Sequence, residues 1–299
     1  MQDTIVHRIA FAIGSKLVEE RARRAETRAG NPNAEDLAWR CSAALMHRFW
    51  TKERDFAFRL CEQALEVDPQ NVRALSHLSL KFITRSAFFA SPDAKADFHR
   101  ADELASLAIK IDPSYHGAHA AKGDALQGAG RYRDAINSYE RALMLAPNII
   151  LLGLPVAYNF VGEPEQAIAY ADKAMRLSPH LPGRVGPIFY FAKAIAFGIL
   201  QDYEQALVWI ERAEAAAPDI LYMGFVRSAL LAVAGKEEEA RAAMQRYLAN
   251  DDAPVRTMSQ WHARQPEKPL PSYNPLVLAR LLTFKKKFED GLQKAGLPE

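Results

Sequence analysis

Read for its apolar positions, the chain is a succession of amphipathic helices. Apolar residues return at helical spacing within GAGRYRDAINSYERALMLAP (128–147) and again within LQDYEQALVWIERAEAAAP (200–218). Five such helices end at a proline: ALEVDP (Pro69), LAIKIDP (Pro113), ALMLAP (Pro147), AMRLSP (Pro179) and AEAAAP (Pro218). A proline cannot donate to a continuing helix and clashes within it, so each one marks a helix end. The prolines stand 44, 34, 32 and 39 residues apart. A sixth helix pair is expected over 222–250, without a final proline and with Gly235 in its turn.

The third unit shows the pattern in full: His119-x2-Lys122-Gly123-x2-Leu126, then Ala135-x3-Tyr139-x2-Ala142, then Pro147. The fifth has Tyr190-x2-Lys193-Ala194-x2-Phe197, then Ala206, Ile210, Ala213 and Pro218. This spacing resembles the tetratricopeptide repeat, with its period of about 34 residues. The resemblance implies an all-α superhelix (an α-solenoid) of about six helix pairs, with capping helices at both ends. Small residues at Gly123 and Ala194 allow the two helices of a pair to cross closely. Ala135 and Ala206 hold the second helix near the first, while Tyr139 and Ile210 fill the gap to the next unit. Gly130, Gly162 and Gly235 suit a tight turn that a Cβ would hinder. One pair cannot bury its own apolar face, so the pairs must stack. Two units depart from the pattern. SAFFASPDAK (86–95) inserts into the second and lengthens its inter-helix loop. Pro155 in the fourth predicts a first helix that kinks or starts late.

These readings divide the chain into an N-terminal helix (1–29), a repeat array (36–250) and a C-terminal loop with a closing helix (251–299). Residues 4–24 carry Ile5, Ile9, Ile13 and Leu17 on one face, which suits a cap over the first repeat or the remnant of a preceding domain. GNPNAED (30–36) breaks the chain before the array. Beyond it, ANDDAPV (249–255) and RQPEKPLPSYNP (264–275) are loops around a short segment containing Trp261, and a helix starts at Pro275. The opening MQDTIVHRIAFAIGSKL, the RARRAE run (21–26), the array and the terminal GLQKAGLPE together resemble the C-terminal region of bacterial class III adenylate/guanylate cyclases that carry such repeats. The resemblance implies a regulatory region in cyclic-nucleotide signalling. The cyclase and connecting domains that precede this region in those proteins are absent from the chain, apart from a last connector helix that residues 1–29 would supply. No catalytic residue therefore carries over.

Composition narrows the function classes. The 299 residues are 49% hydrophobic and 25% charged, with a net charge of +2, so no polyanionic partner is expected. Lys285-Lys286-Lys287 is a solvated helix face rather than a nucleic-acid patch. Cys41 and Cys61 lack metal-site spacing and lie in helical apolar patterns, which predicts buried free thiols in a reducing compartment. The opening segment carries charges throughout, unlike a signal peptide. The longest apolar run, IILLGLPVAY (149–158), is half of what a bilayer crossing needs. A cytoplasmic protein without membrane insertion is expected.

Catalytic chemistry finds little footing. His116-x2-His119 lies near Asp112 but has no third ligand at a diagnostic spacing. GDALQGAGRY (123–132) has Ala129 where a phosphate loop requires lysine. The expectation is a non-catalytic scaffold without metal or cofactor, taking a protein or peptide partner and no nucleic acid. In the repeat geometry the first helix of each pair lines the concave face. That places Ile149, Leu152, Val156 and Phe160 of the fourth unit there, with Ile188, Phe191, Ile195 and Ile199 of the fifth and Tyr222, Phe225 and Val233 of the sixth. The third unit contributes Gly117, Ala120, Asp124 and Gln127, without the Lys/Asn/Arg pattern by which chaperone-binding repeats clamp a terminal carboxylate. Such an apolar strip takes a partner helix or peptide, or is filled by the chain's own tail through Leu276, Leu278, Leu281, Leu282 and Phe288.

Overall fold

The structure is a computed structural model that describes residues 2–27, 32–48, 54–87, 91, 93–177, 185–218, 220–263 and 275–299. Among them are fifteen helices and no strand: α1 (Gln2–Thr27), α2 (Ala34–Arg48), α3 (Arg54–Val67), α4 (Val72–Ala87), α5 (Ala94–Ile111), α6 (His116–Gly128), α7 (Tyr132–Leu145), α8 (Gly153–Phe160), α9 (Pro164–Leu177), α10 (Val185–Ile199), α11 (Tyr203–Ala216), α12 (Tyr222–Val233), α13 (Glu237–Leu248), α14 (Met258–His262) and α15 (Pro275–Lys294). Two compact units share the chain, residues 1–154 with 176–183 and residues 155–175 with 184–299.

The turn inside each pair is built the same way four times. Gly130, Gly162 and Gly235 have φ of 75°, 76° and 80°, as their sequence positions predict. In the fifth pair Gln201 takes this left-handed place with φ 63°. The residue that follows donates its backbone N–H to the carbonyl five positions back: Arg131 to Leu126, Glu163 to Tyr158, Asp202 to Phe197 and Lys236 to Leu231, at 2.8–2.9 Å. Each turn thereby satisfies carbonyls that the end of the first helix leaves free.

In the first unit the close crossing of α6 and α7 is the Gly123–Tyr139 contact. A Cβ on Gly123 would fall 2.5 Å from the buried Tyr139 ring. The corresponding contact of α2 and α3 is covalent, for Cys41 and Cys61 form a disulfide with Cα atoms 5.6 Å apart. This corrects the expectation of two free thiols, and with it the argument for a reducing compartment. Both cysteines are fully buried. They meet because Cys41 stands at the small-residue position of its repeat, and Cys61 lies eight residues before Pro69 as Tyr139 lies eight before Pro147.

Three other expectations change in detail. Helix α1 packs on α2, but the residues it buries are Ala22 and Ala25, while Ile9, Ile13 and Leu17 face solvent. The apolar stripe read as a cap over the first repeat thus points away from it, and the side chain of Ile5 lies outside the described residues. The insertion of the second repeat lengthens its helices, since α4 and α5 have 16 and 18 residues against 13 and 14 in α6 and α7, while residues 88–90 and 92 of the expected loop lie outside the described residues. Helix α8 starts late, with Pro155 in its first turn, so Ile149 and Leu152 precede it. RQPEKPLPSYN (264–274) lies outside the described residues.

Candidate interaction surface

The second unit holds most of the residues expected to line a groove. Helices α10 and α12 present them from the first helix of the fifth and sixth pairs. Ile199 and Phe225 are not exposed there; both are buried in the core of this unit. Phe191, Ile195 and Tyr222 are half-buried against the same core, and Ile188 is equally half-buried. The rings of Phe191 and Tyr222 lie 6.2 Å apart and those of Tyr222 and Phe225 5.6 Å apart, forming a continuous aromatic row. Val156 and Val233 are half-buried, and Phe160 is 39% exposed. In the first unit Ile149 and Leu152 are half-buried outside any helix.

The tail of the chain packs on this core, through Trp261 against Phe225 and through Phe284 beside Gly198, the neighbour of Ile199. Helix α15 packs on α12, α10 and α13, and Phe284, Phe288, Leu292 and Leu297 join the same core. Small residues let it approach closely. A Cβ on Gly198 would fall 2.6 Å from Phe284, and one on Gly291 would fall 2.8 Å from the Ala229 carbonyl oxygen. Trp261 of α14 bridges the two, with ring centroids 5.5 Å from Phe225 and 5.7 Å from Phe288. Four side chains of this kind contribute on the order of 1.5–3 kcal/mol each when fully buried. The tail is a structural part of the unit. Of its expected anchors, Phe288 is buried, Leu281 half-buried and Leu282 46% exposed; Leu276 and Leu278 lie in a part of α15 whose side chains are outside the described residues.

In the first unit the corresponding helices carry polar groups. The Arg73 guanidinium lies 3.5 Å from the centroid of Trp39 and donates to the Tyr115 hydroxyl at 3.2 Å, with Glu35 at 3.7 Å. Beneath it His77 and Ser42 are 2.7 Å apart. The Ser42 hydroxyl donates to the Ala38 carbonyl, so toward His77 it accepts, and the imidazole is the donor. A nucleophile would need the reverse arrangement. Burial, with Arg73 and His116 adding repulsion, pushes the His77 pKa down to about 3. His116 is also lowered by burial and Arg73, and His119 meets the Pro113 carbonyl oxygen at 2.9 Å. Asp124 accepts from the Tyr139 hydroxyl at 2.6 Å, yet burial outweighs that bond and pushes its pKa up to about 6.

One recurrent feature escaped the sequence reading. Just before the small residue of the first helix, Lys122, Lys193 and Arg227 each reach back to the second helix of the preceding pair. Lys122 meets Asp102 at 2.5 Å, Lys193 meets Asp172 at 2.7 Å, and Arg227 meets Glu211 at 3.4 Å. Lys193 is buried and also lies 3.6 Å from the centroid of Trp209. The signal was present as a basic residue at one place in three repeats, but its acidic partner lies 16 to 21 residues upstream, beyond any helical spacing.

Residues 116–149, the stretch built around Gly123 and Tyr139, match the family model of the tetratricopeptide repeat. The chain has the tetratricopeptide-repeat fold. Human IFIT1, solved as a dimer with m7Gppp-AAAA, superposes with a TM-score of 0.58 at 15% identity, over 80% of this chain and 56% of that one. PilW, a type IV pilus biogenesis factor, superposes with a TM-score of 0.50 at 18% identity, over 74% of this chain and 90% of its own. At such identities the likeness shows the fold alone. No curated protein matches the sequence. No helix among the described residues is long and apolar enough to cross a membrane.

Proposed function

We propose that this tetratricopeptide-repeat chain is a non-catalytic scaffold that binds a protein or peptide partner. The aromatic row of the second unit supports the reading. Ile188, Phe191, Ile195 and Tyr222 stay half-exposed while Ile199 and Phe225 of the same helices are buried, so part of the strip is open to solvent. Apolar and aromatic side chains gathered on one concave face are anchors for a partner's apolar side chains. The test is capture from native lysate with wild-type chain and Phe191→Asp. A protein retained by the wild type and lost by the variant is the expected result. Identical captures by both overturn the reading, and loss of the captured species after nuclease treatment would assign the surface to nucleic acid instead.

A second reading follows from the two ends of the chain. MQDTIVHRIAFAIGSKL and GLQKAGLPE resemble the C-terminal region of class III nucleotide cyclases, under which the scaffold controls cyclase activity or dimerisation in the cytoplasm. Its test is the gene itself: a cyclase domain in frame before Met1 supports it, and an unrelated open reading frame there removes it.

A further inference from the structure

We propose that the side of the second unit covered by α15 is a receptor for a basic amphipathic helix supplied by a partner, with α15 as its resident competitor. The proposal rests on the scaffold reading and names the partner's chemistry. Helix α15 shows what the surface selects. Its edge carries Arg280, Lys287 and Lys294, seven residues apart. Arg280 meets Glu165 at 3.2 Å, Lys287 donates to the Gln201 side-chain oxygen at 2.8 Å and the Tyr203 hydroxyl at 3.2 Å, and Lys294 meets Glu237 at 3.9 Å.

These acceptors occupy one place in the repeat. Glu165, Tyr203 and Glu237 lie in the first turns of α9, α11 and α13, the second helices of three successive pairs. Seven residues of helix rise about 10.5 Å, close to the roughly 8–10 Å between packed neighbouring helices. One cation therefore falls beside each repeat. On the buried side, Phe284 and Phe288 stand four residues apart, and Phe284 sits over Gly198. The surface reads two periodicities at once: a cation every seven residues along the edge, and aromatic anchors one turn apart on the face. A partner helix with that pattern makes the same contacts. The repeat-periodic acceptors lie at the rim, where the ion pairs are more than half exposed on the α15 side, so they set register and charge preference more than affinity.

A tethered occupant competes at high effective concentration, so the site opens only as α15 is loosened. The test uses a labelled peptide of residues 275–299 and the full chain, read by fluorescence anisotropy. Phe284→Asp loosens the resident while leaving α10, α12 and the rim intact, and Phe288→Asp does so one turn further along the same helix. Both variants should bind the peptide at least about tenfold more tightly than wild type. A peptide with Arg280, Lys287 and Lys294 changed to Glu should lose that binding. Absence of binding to either variant, at unchanged helical dichroism, overturns the proposal, as does binding indifferent to the charge reversal. A dimer of the untreated chain by light scattering, dissociated by the peptide, would overturn it in favour of α15 exchange between two copies. If the peptide fails while Phe191→Asp still loses its captured protein, the scaffold reading stands and the receptor inference alone falls.

Discussion

The ring of Tyr139 lies against the Cα of Gly123, with no room between α6 and α7 for a methyl group. Tyr139 is fully buried and its hydroxyl is tied to Asp124, so the ring cannot swing away. Gly123→Ala is expected to destabilise the chain by roughly 1–3 kcal/mol despite alanine's better helix propensity. The fifth repeat solves the same contact with Ala194 and Ile210, both buried. Transplanting that pair, as Gly123→Ala with Tyr139→Ile, should recover part of the loss. Urea denaturation of the three proteins checks both expectations, and an unchanged midpoint for Gly123→Ala would refute the register.

Cys41 and Cys61 make this contact covalently in the first repeat. Closing a loop with a sequence separation of 20 residues is worth about 3 kcal/mol in the chain-entropy account. Cys41→Ala with Cys61→Ala should lower stability by about that much and remove any dependence of the midpoint on reductant. Alkylation of chain isolated from its own cells, after denaturation without reductant, reports the natural state. Two modified cysteines would mean that the pair is reduced where the protein works.

Lys193 is buried against Asp172 and Trp209, so removing its charge strands a partly buried carboxylate. Lys193→Ala is expected to cost about 1–3 kcal/mol. Lys193→Met with Asp172→Leu, which removes both charges and keeps the volume, should cost much less. Comparing the two variants in urea measures the difference, and equal losses would show that the unpaired Asp172 carboxylate carries no penalty.

Two buried groups tilt the pH dependence of the first unit in opposite directions. Asp124 has a folded pKa raised to about 6, so the folded state holds a proton that the unfolded chain has lost. Its contribution is present below the ordinary carboxylate pKa and is lost as pH rises through about 6. His77 has a folded pKa lowered to about 3, so acidification protonates the unfolded chain first. Its contribution is present above about 6.5 and is lost as pH falls toward 3. Each acts with a slope of up to about 1.4 kcal/mol per pH unit within its window. The two slopes oppose each other between pH 4 and 6, and the lowered His116 adds to that of His77. Relative to wild type, Asp124→Asn should therefore gain more stability with rising pH over that interval, and His77→Gln less. Parallel profiles for all three proteins would contradict the assignment.

Gln201 holds φ 63° where three other repeats use glycine. Relieving that conformation costs the bond between its side chain and Lys287. Gln201→Gly is expected to stabilise by about 0.5–1 kcal/mol net. Thermal melting checks the sign, and a loss of more than about 1 kcal/mol would show that the Lys287 bond outweighs the backbone strain.

The repeat architecture was legible because its causes are local. A proline ends a helix wherever it stands, a glycine takes positive φ in a tight turn, and alternating small and large residues at fixed spacing dictate where helices touch. Gly123, Gly130, Tyr139 and Pro147 each carry that information without reference to distant chain. The late start of α8 was likewise written in Pro155. Gln201 was hidden because nothing in a glutamine announces a left-handed turn; the helices on either side impose it.

Distant pairings were decided by tertiary structure alone. Cys41 and Cys61 are separated by 20 residues with no helical spacing between them, and only the packing of α2 on α3 makes them neighbours. The bridges from Lys122, Lys193 and Arg227 to the preceding repeat have the same origin. The strip on α10 and α12 shows the limit most plainly. Its hydrophobic periodicity named Phe191 and Phe225 alike, because both stand on the first helix of a repeat. Burial is a property of the neighbour and not of the residue: Tyr247 of α13 and Trp261 of α14 pack on Phe225, while Phe191 stays half open.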